Sequence, residues 1–182
     1  MNQDPGYERL IAEGLQASRE DRPEAALALF ARASALAPAS GVPHFLIGSE
    51  HAAAGNIAGA ETAFAQAVLL APGFALARYQ LGLLQFSTGR AALALVTWQP
   101  LFALPQGEPL GHFVRGFAAL ARDSFDEALE HYREGLACHD INHALAGDIL
   151  RVVAAVEDLP GQQPEPEASR HVLLSGYARG LH

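Results

Sequence analysis

An all-α solenoid of repeated helical hairpins is the fold class this chain predicts, on three columns of residues that keep one register. Gly14, Gly48, Gly82 and Gly116 stand 34 residues apart. Ala26, Ala60, Ala94 and Ala128 hold the same spacing, as do the aromatic residues Phe30, Phe64, Trp98 and Tyr132. Glycine, alanine and aromatic side chains meet different steric demands, so an Ala-rich composition cannot produce three separate columns. A fixed period of this length marks a structural repeat.

The repeats run over 7–40, 41–74, 75–108 and 109–142, and each reads as two helices and two turns. In the second copy, 41–54 has apolar or small residues at helical spacing. Gly55-Asn56 then stops that helix, and 57–70 is a second amphipathic run closed by Ala71-Pro72. The glycine column is expected to face the alanine column of the other helix, bringing the two axes to the short end of the ~8–10 Å range. Pro38, Pro72 and Pro105 close the first three repeats. Pro100 falls inside the second helix of the third, where the missing N–H and the ring clash predict a kink or early stop. In the fourth repeat Gly135 and Asp140 stand where the late Ala and closing Pro belong, which predicts looser closure. Beyond it, 143–158 carries Leu145, Ile149, Val152, Val153 and Val156 on one side and reads as a capping helix that completes the solenoid unit 1–158. The Pro-rich stretch 159–167 is a linker. The tail 168–182 then gathers Val172, Leu173, Leu174, Tyr177 and Leu181.

Composition narrows the function classes. The 182 residues suffice for one core, and 50% of them are hydrophobic. A formal net charge of −8 argues against binding the phosphate backbone of nucleic acid. All 12 basic residues are Arg, so a phosphate-loop lysine, a Schiff-base lysine and a serine–lysine dyad are excluded. Cys138 is alone, so no internal disulfide forms. The N-terminal residues resemble no signal peptide, and no apolar run reaches about 18 residues. A cytoplasmic protein without a membrane span is expected.

The repeat pattern resembles the tetratricopeptide repeat (TPR) family over about residues 7–142. Ile47-Gly48, Ala60, Phe64, Ala67 and Pro72 fall where that family has Leu-Gly, Ala, an aromatic, Ala and a closing Pro. The family's large first-helix residue is less well kept, being Leu10, His44, Arg78 and His112. The resemblance implies a right-handed superhelical solenoid whose inner wall is lined by first helices. Those helices carry a second stripe at i, i+4, i+7: Ile11, Leu15 and Ser18; Phe45, Ser49 and Ala52; Tyr79, Leu83 and Phe86; Phe113, Phe117 and Leu120. In family terms these are groove positions. A TPR subclass that grips chaperone C-termini uses Lys, Asn and Arg where this chain has Ile11, Leu15, Leu46, Leu76 and Gln80, so that mode is not expected.

The function this implies is a noncatalytic protein–protein interaction module, binding an apolar peptide or amphipathic helix at Phe45, Tyr79, Leu83, Phe86, Phe113, Phe117 and Leu120. The alternatives are a self-assembling protein whose tail fills the groove, possible as a homodimer, and a secretion-type chaperone for an apolar client segment. An open apolar patch of this size is rare on soluble monomers, so external ligand and self-coverage stay balanced. No enzyme activity, cofactor or metal is assigned. Cys138, His139 and His143 lie close in sequence but lack the paired spacings of structural zinc sites. His44 and His112 read as helix-packing imidazoles with no carboxylate or Cys at ligand spacing. The acidic run Asp123, Asp126, Glu127, Glu130 and Glu134 reads as a solvated outer face. Scattered serines such as Ser18, Ser34, Ser49 and Ser87 have no Gly-flanked elbow and matched His.

Overall fold

Each hairpin turns on one residue held in the left-handed region: Asp21 and Asp123 at φ 56°, Gly55 at 72° and Gly89 at 78°. These four positions are themselves 34 residues apart. The computed structural model describes residues 5–139 and 141–159, and among them there are nine α-helices, one 3-10 turn and no strand. The first hairpin is α1 (Pro5–Arg19) and α2 (Pro23–Leu36), and the second is α3 (Gly41–Ala53) and α4 (Ile57–Leu70). The third is α5 (Ala75–Ser87) and α6 (Ala91–Trp98), and the fourth is α7 (Pro109–Leu120) and α8 (Phe125–Leu136). A ninth helix, α9 (His143–Glu157), follows. The second helix of each hairpin packs on the first helix of the next, which makes the chain an all-α helical solenoid.

Local chemistry sets the helix ends. Ser40 caps α3 by accepting from the Val42 amide, Asn56 caps α4 by accepting from Gly59, and Asn142 caps α9 by accepting from Ala144 and Leu145. Proline occupies the first turn of α2 and α7, where no intrahelical N–H is needed. Pro100 acts as its position predicts: α6 ends at Trp98, and the chain continues as a 3-10 turn over Gln99–Ala103.

The glycine column faces the aromatic column, not the alanine column. A methyl group built on Gly14, Gly48, Gly82 or Gly116 would overlap the ring of Phe30, Phe64, Trp98 or Tyr132 respectively. Each ring therefore presses against the partner helix at its glycine, where only hydrogen leaves room for it. The alanines Ala26, Ala60, Ala94 and Ala128 are fully buried beside them. Trp98 is fixed further by its indole N–H, which donates to the Tyr79 carbonyl at 3.0 Å.

In the fourth hairpin the missing side chain of Gly135 admits the ring of Phe113 against α8, while Asp140 lies outside the described residues. Ten residues of α7 are buried, more than in any other described helix. The linker beyond Leu159 and the apolar tail 168–182 lie outside the described residues. No described helix is long and apolar enough to cross a membrane.

Candidate functional site

The apolar side of α9 lies on first-helix residues of the third and fourth repeats. Tyr79 and Phe113 are 0% exposed and Phe117 3%, so these three belong to the core instead of an open groove. They share one cluster with Trp98, Tyr132, Leu145 and Ile149, against which Val152 and Val153 of α9 also pack. The rings interlock: Phe117 lies 5.4 Å from Trp98 and from Tyr132, and 5.2 Å from Phe86. Leu83, Phe86 and Leu120 are half-buried at the edge of this cluster. Phe45 stands apart, packed on Phe64 at 5.8 Å and Phe74 at 5.0 Å. The amphipathic pattern of 143–158 thus made a helix that turns its apolar side onto aromatic residues two hairpins long, besides packing against α8. The Arg133–Glu157 ion pair, 2.8 Å, ties its end to α8.

Between α9 and the earlier repeats a cleft of about 500 Å³ stays open. Phe64, Leu83, Leu84 and Val152 supply its apolar walls, with Ala52 and Ser87 on the solenoid side and the Asp148–Arg151 ion pair on the α9 side. Burial raises the ionisation of Tyr79 far above the ordinary phenol, and Asp148 adds to it; Tyr132 is raised in the same direction, again mainly by burial. Both phenols are therefore neutral, and their hydroxyls find no protein partner among the described residues.

A second site is polar. The His112 Nδ1 and His131 Nδ1 lie 3.0 Å and 3.2 Å from the same oxygen, Oε2 of Glu134. His112 is buried, and its Nε2 lies 2.7 Å from the Gln106 carbonyl oxygen. These side chains, with Arg115 and Ala137, line a cavity of about 640 Å³ between α7, α8 and the loop before α7. Hydrogen bonding from His131, joined by His112, holds the Glu134 carboxyl below the usual glutamate range. Glu134 is thus more than a member of a solvated acidic face, although Asp123, Asp126, Glu127 and Glu130 are exposed as expected. The reading of His112 as a packing imidazole without a carboxylate beside it is corrected: the carboxylate comes from the other helix of its hairpin. The available sequence signal was His131 and Glu134 at i, i+3 on α8, facing the helix that bears His112.

The sequence-adjacent trio does not assemble in this way. His139 and His143 are exposed, and Asp140 lies outside the described residues. Burial, with help from Glu108 and Glu134, pushes the Cys138 thiol up, which keeps it protonated and a poor nucleophile. Among the described residues, the group of three whose ligand atoms converge is His112, His131 and Glu134.

No family model and no curated protein matches the chain. Solved structures do. The chain is similar to MamA from Desulfovibrio magneticus RS-1 at 16% identity and TM-score 0.61, over 98% of this chain and 99% of that one. It is similar to YrrB, described as a TPR protein with an unusual peptide-binding site, at 20% identity and TM-score 0.58, over 91% and 90% of the two chains. A chain of the APC/C hetero-tetramer Cut9-Hcn1 matches with TM-score 0.71 at 20% identity, over 86% of this chain but 30% of its own length. At these identities the likeness concerns the fold: this chain has the TPR fold.

Proposed function

We propose that this TPR-fold chain is a noncatalytic protein–protein interaction module that takes an apolar peptide segment in the cleft between α3, α5 and α9. The observation that carries the reading is α9 itself. An amphipathic helix already lies on the aromatic inner face, so the chemistry of that face suits apolar side chains at helical spacing, and the cleft continues it along Leu83 and Val152. The peptide-binding site named for YrrB is consistent with this use of the fold. Of the residues expected to bind, Leu83 stands at the cleft, with Phe86 and Leu120 half-buried nearby; Tyr79, Phe113 and Phe117 support the face from beneath α9.

A second reading has support from position. Ala155 lines the cleft close to Leu159, the last described residue, and the apolar tail 168–182 is the alternative occupant, of its own cleft or of that of a second copy. Ala52→Arg tests both. Ala52 is exposed at the rim, so the substitution obstructs the cleft without entering the core. Apolar peptides selected by display on the chain shortened to residue 159 are expected to lose capture by about tenfold or more in Ala52→Arg, a difference near 1.4 kcal/mol. Equal capture by both would place recognition elsewhere. Light scattering that shows a dimer only with the tail present, and only with Ala52 intact, would make self-assembly the function.

A further inference from the structure

We propose that His112, His131 and Glu134 form a binding site for a zinc-like divalent cation, clipping α7 to α8 in the fourth hairpin. The argument begins with the proton count on His112. Its Nε2 faces the Gln106 carbonyl at 2.7 Å, and a carbonyl oxygen only accepts, so Nε2 carries the hydrogen. In the neutral ring Nδ1 is then a bare lone pair, and it points at a carboxylate oxygen 3.0 Å away. Two acceptors at that distance need a hydrogen or a cation between them. His131 brings another imidazole nitrogen to the same oxygen at 3.2 Å. Two imidazoles and one carboxylate are a donor set that zinc accepts, with bonds of about 2.0–2.2 Å and ligand-to-ligand edges of about 3.3 Å in a tetrahedron. The two nitrogen–oxygen separations are already close to that edge, and one ligand atom from each of the three residues lies within 4.8 Å of the others.

The surroundings fit the same role. A metal-bound histidine commonly donates its other ring N–H to a backbone carbonyl, as His112 does, which fixes the tautomer and aims the lone pair. His131 is only partly buried, so its ring has room to close the remaining distance. Three protein donors leave a coordination position facing the cavity for water or an anionic oxygen. Arg115 lines that cavity, its guanidinium donating to the Phe102 carbonyl at 2.8 Å, and would sit near such an anion. The second hairpin offers an internal control. Its corresponding cavity, about 430 Å³, holds His44, Ala63 and Gln66 at the positions of His112, His131 and Glu134, and His44 bonds the Ser34 hydroxyl at 3.1 Å. His51 also lines that cavity but lies against Asn56, so only one of the three matching positions there carries an imidazole or carboxylate donor. The site is a property of the fourth copy.

The test is calorimetric titration of the chelator-treated full chain with Zn²⁺, repeated with Co²⁺ to read its visible bands. One ion per chain is expected, with affinity lowered about tenfold or more in both His131→Ala and Glu134→Gln, and unchanged in Cys138→Ser and His143→Ala. His131 and Glu134 are not core residues, so far-UV circular dichroism should match across the set. Binding kept by both His131→Ala and Glu134→Gln, or lost in Cys138→Ser or His143→Ala, overturns the proposal. So does the absence of stoichiometric binding by the unaltered chain.

Discussion

The helices α3 and α7 occupy the same position in their repeats and meet different fates. Each begins its hairpin, each has a glycine pressed on an aromatic ring, and each carries a histidine in the same register. Yet α3 buries three of its 13 residues, while α7 buries ten of its 12. The repeat register cannot account for the difference, since it is common to both. What differs is the neighbour: α9 lies on the inner face of the later hairpins and leaves the earlier one facing solvent across the cleft. The repeat therefore dictates the hairpin, and a segment outside the repeat decides how much of the inner wall is available to a partner.

Ile149→Asp attacks that difference most directly. Ile149 is 1% exposed among Tyr79, Phe113 and Trp98, so the substitution removes a buried aliphatic group and places a carboxylate where nothing pairs it. A loss of about 4 kcal/mol or more is expected in denaturant unfolding. Hydrogen exchange should show the loss concentrated in α5, α7 and α9, with α1 to α4 largely protected. Uniform loss across all hairpins would mean that the open and covered halves unfold as one unit.

A pair of glycine substitutions sharpens the contrast. Gly82 faces Trp98, whose ring is held by its hydrogen bond to Tyr79 and by Phe86 and Phe117 at 5.9 Å and 5.4 Å. Gly48 faces Phe64, which is buried but borders the open cleft and has fewer aromatic neighbours than Trp98. Gly82→Ala should therefore cost about 2–3 kcal/mol and Gly48→Ala nearer 1, read as unfolding free energies. Equal costs would show that Phe64 is as firmly held as Trp98, and that the cleft does not soften the second hairpin.

The same contrast explains what was legible in the sequence. The 34-residue columns gave the helix pairs, their limits and the break at Pro100, because caps, prolines and small residues act over one turn. The partner of each glycine was not legible: spacing reveals that two columns are conserved in register along the chain, but not which of them lies opposite. The spacing picks out a stripe on the first helices, yet Tyr79, Phe113 and Phe117 turn out buried, since their contacts with Trp98, with Gly135 of α8, with Tyr132 and with α9 depend on tertiary packing. The His112, His131 and Glu134 cluster joins two helices across a turn, so no linear pattern displays it whole.

The smallest expected effect concerns the hairpin turns, where the two halves are mixed. Gly55 and Gly89 hold the left-handed position in the second and third repeats, and Asp21 and Asp123 hold it in the first and fourth. An L-residue in that region costs about 1–2 kcal/mol, less for Asp, while glycine loses more chain entropy on folding. The two terms nearly cancel, so Asp123→Gly should stabilise by about 0.5 kcal/mol, seen as a small rise in the denaturation midpoint. Asp123 has a second influence, because it stands at the start of α8, whose first-turn amides receive no side-chain cap. A carboxylate there is attracted by the helix dipole by about 0.3–1 kcal/mol, and salt screens it. If Asp123→Gly instead destabilises the chain, and the loss shrinks at high salt, the aspartate serves the helix that carries His131 and Glu134, and the turn strain is the lesser term.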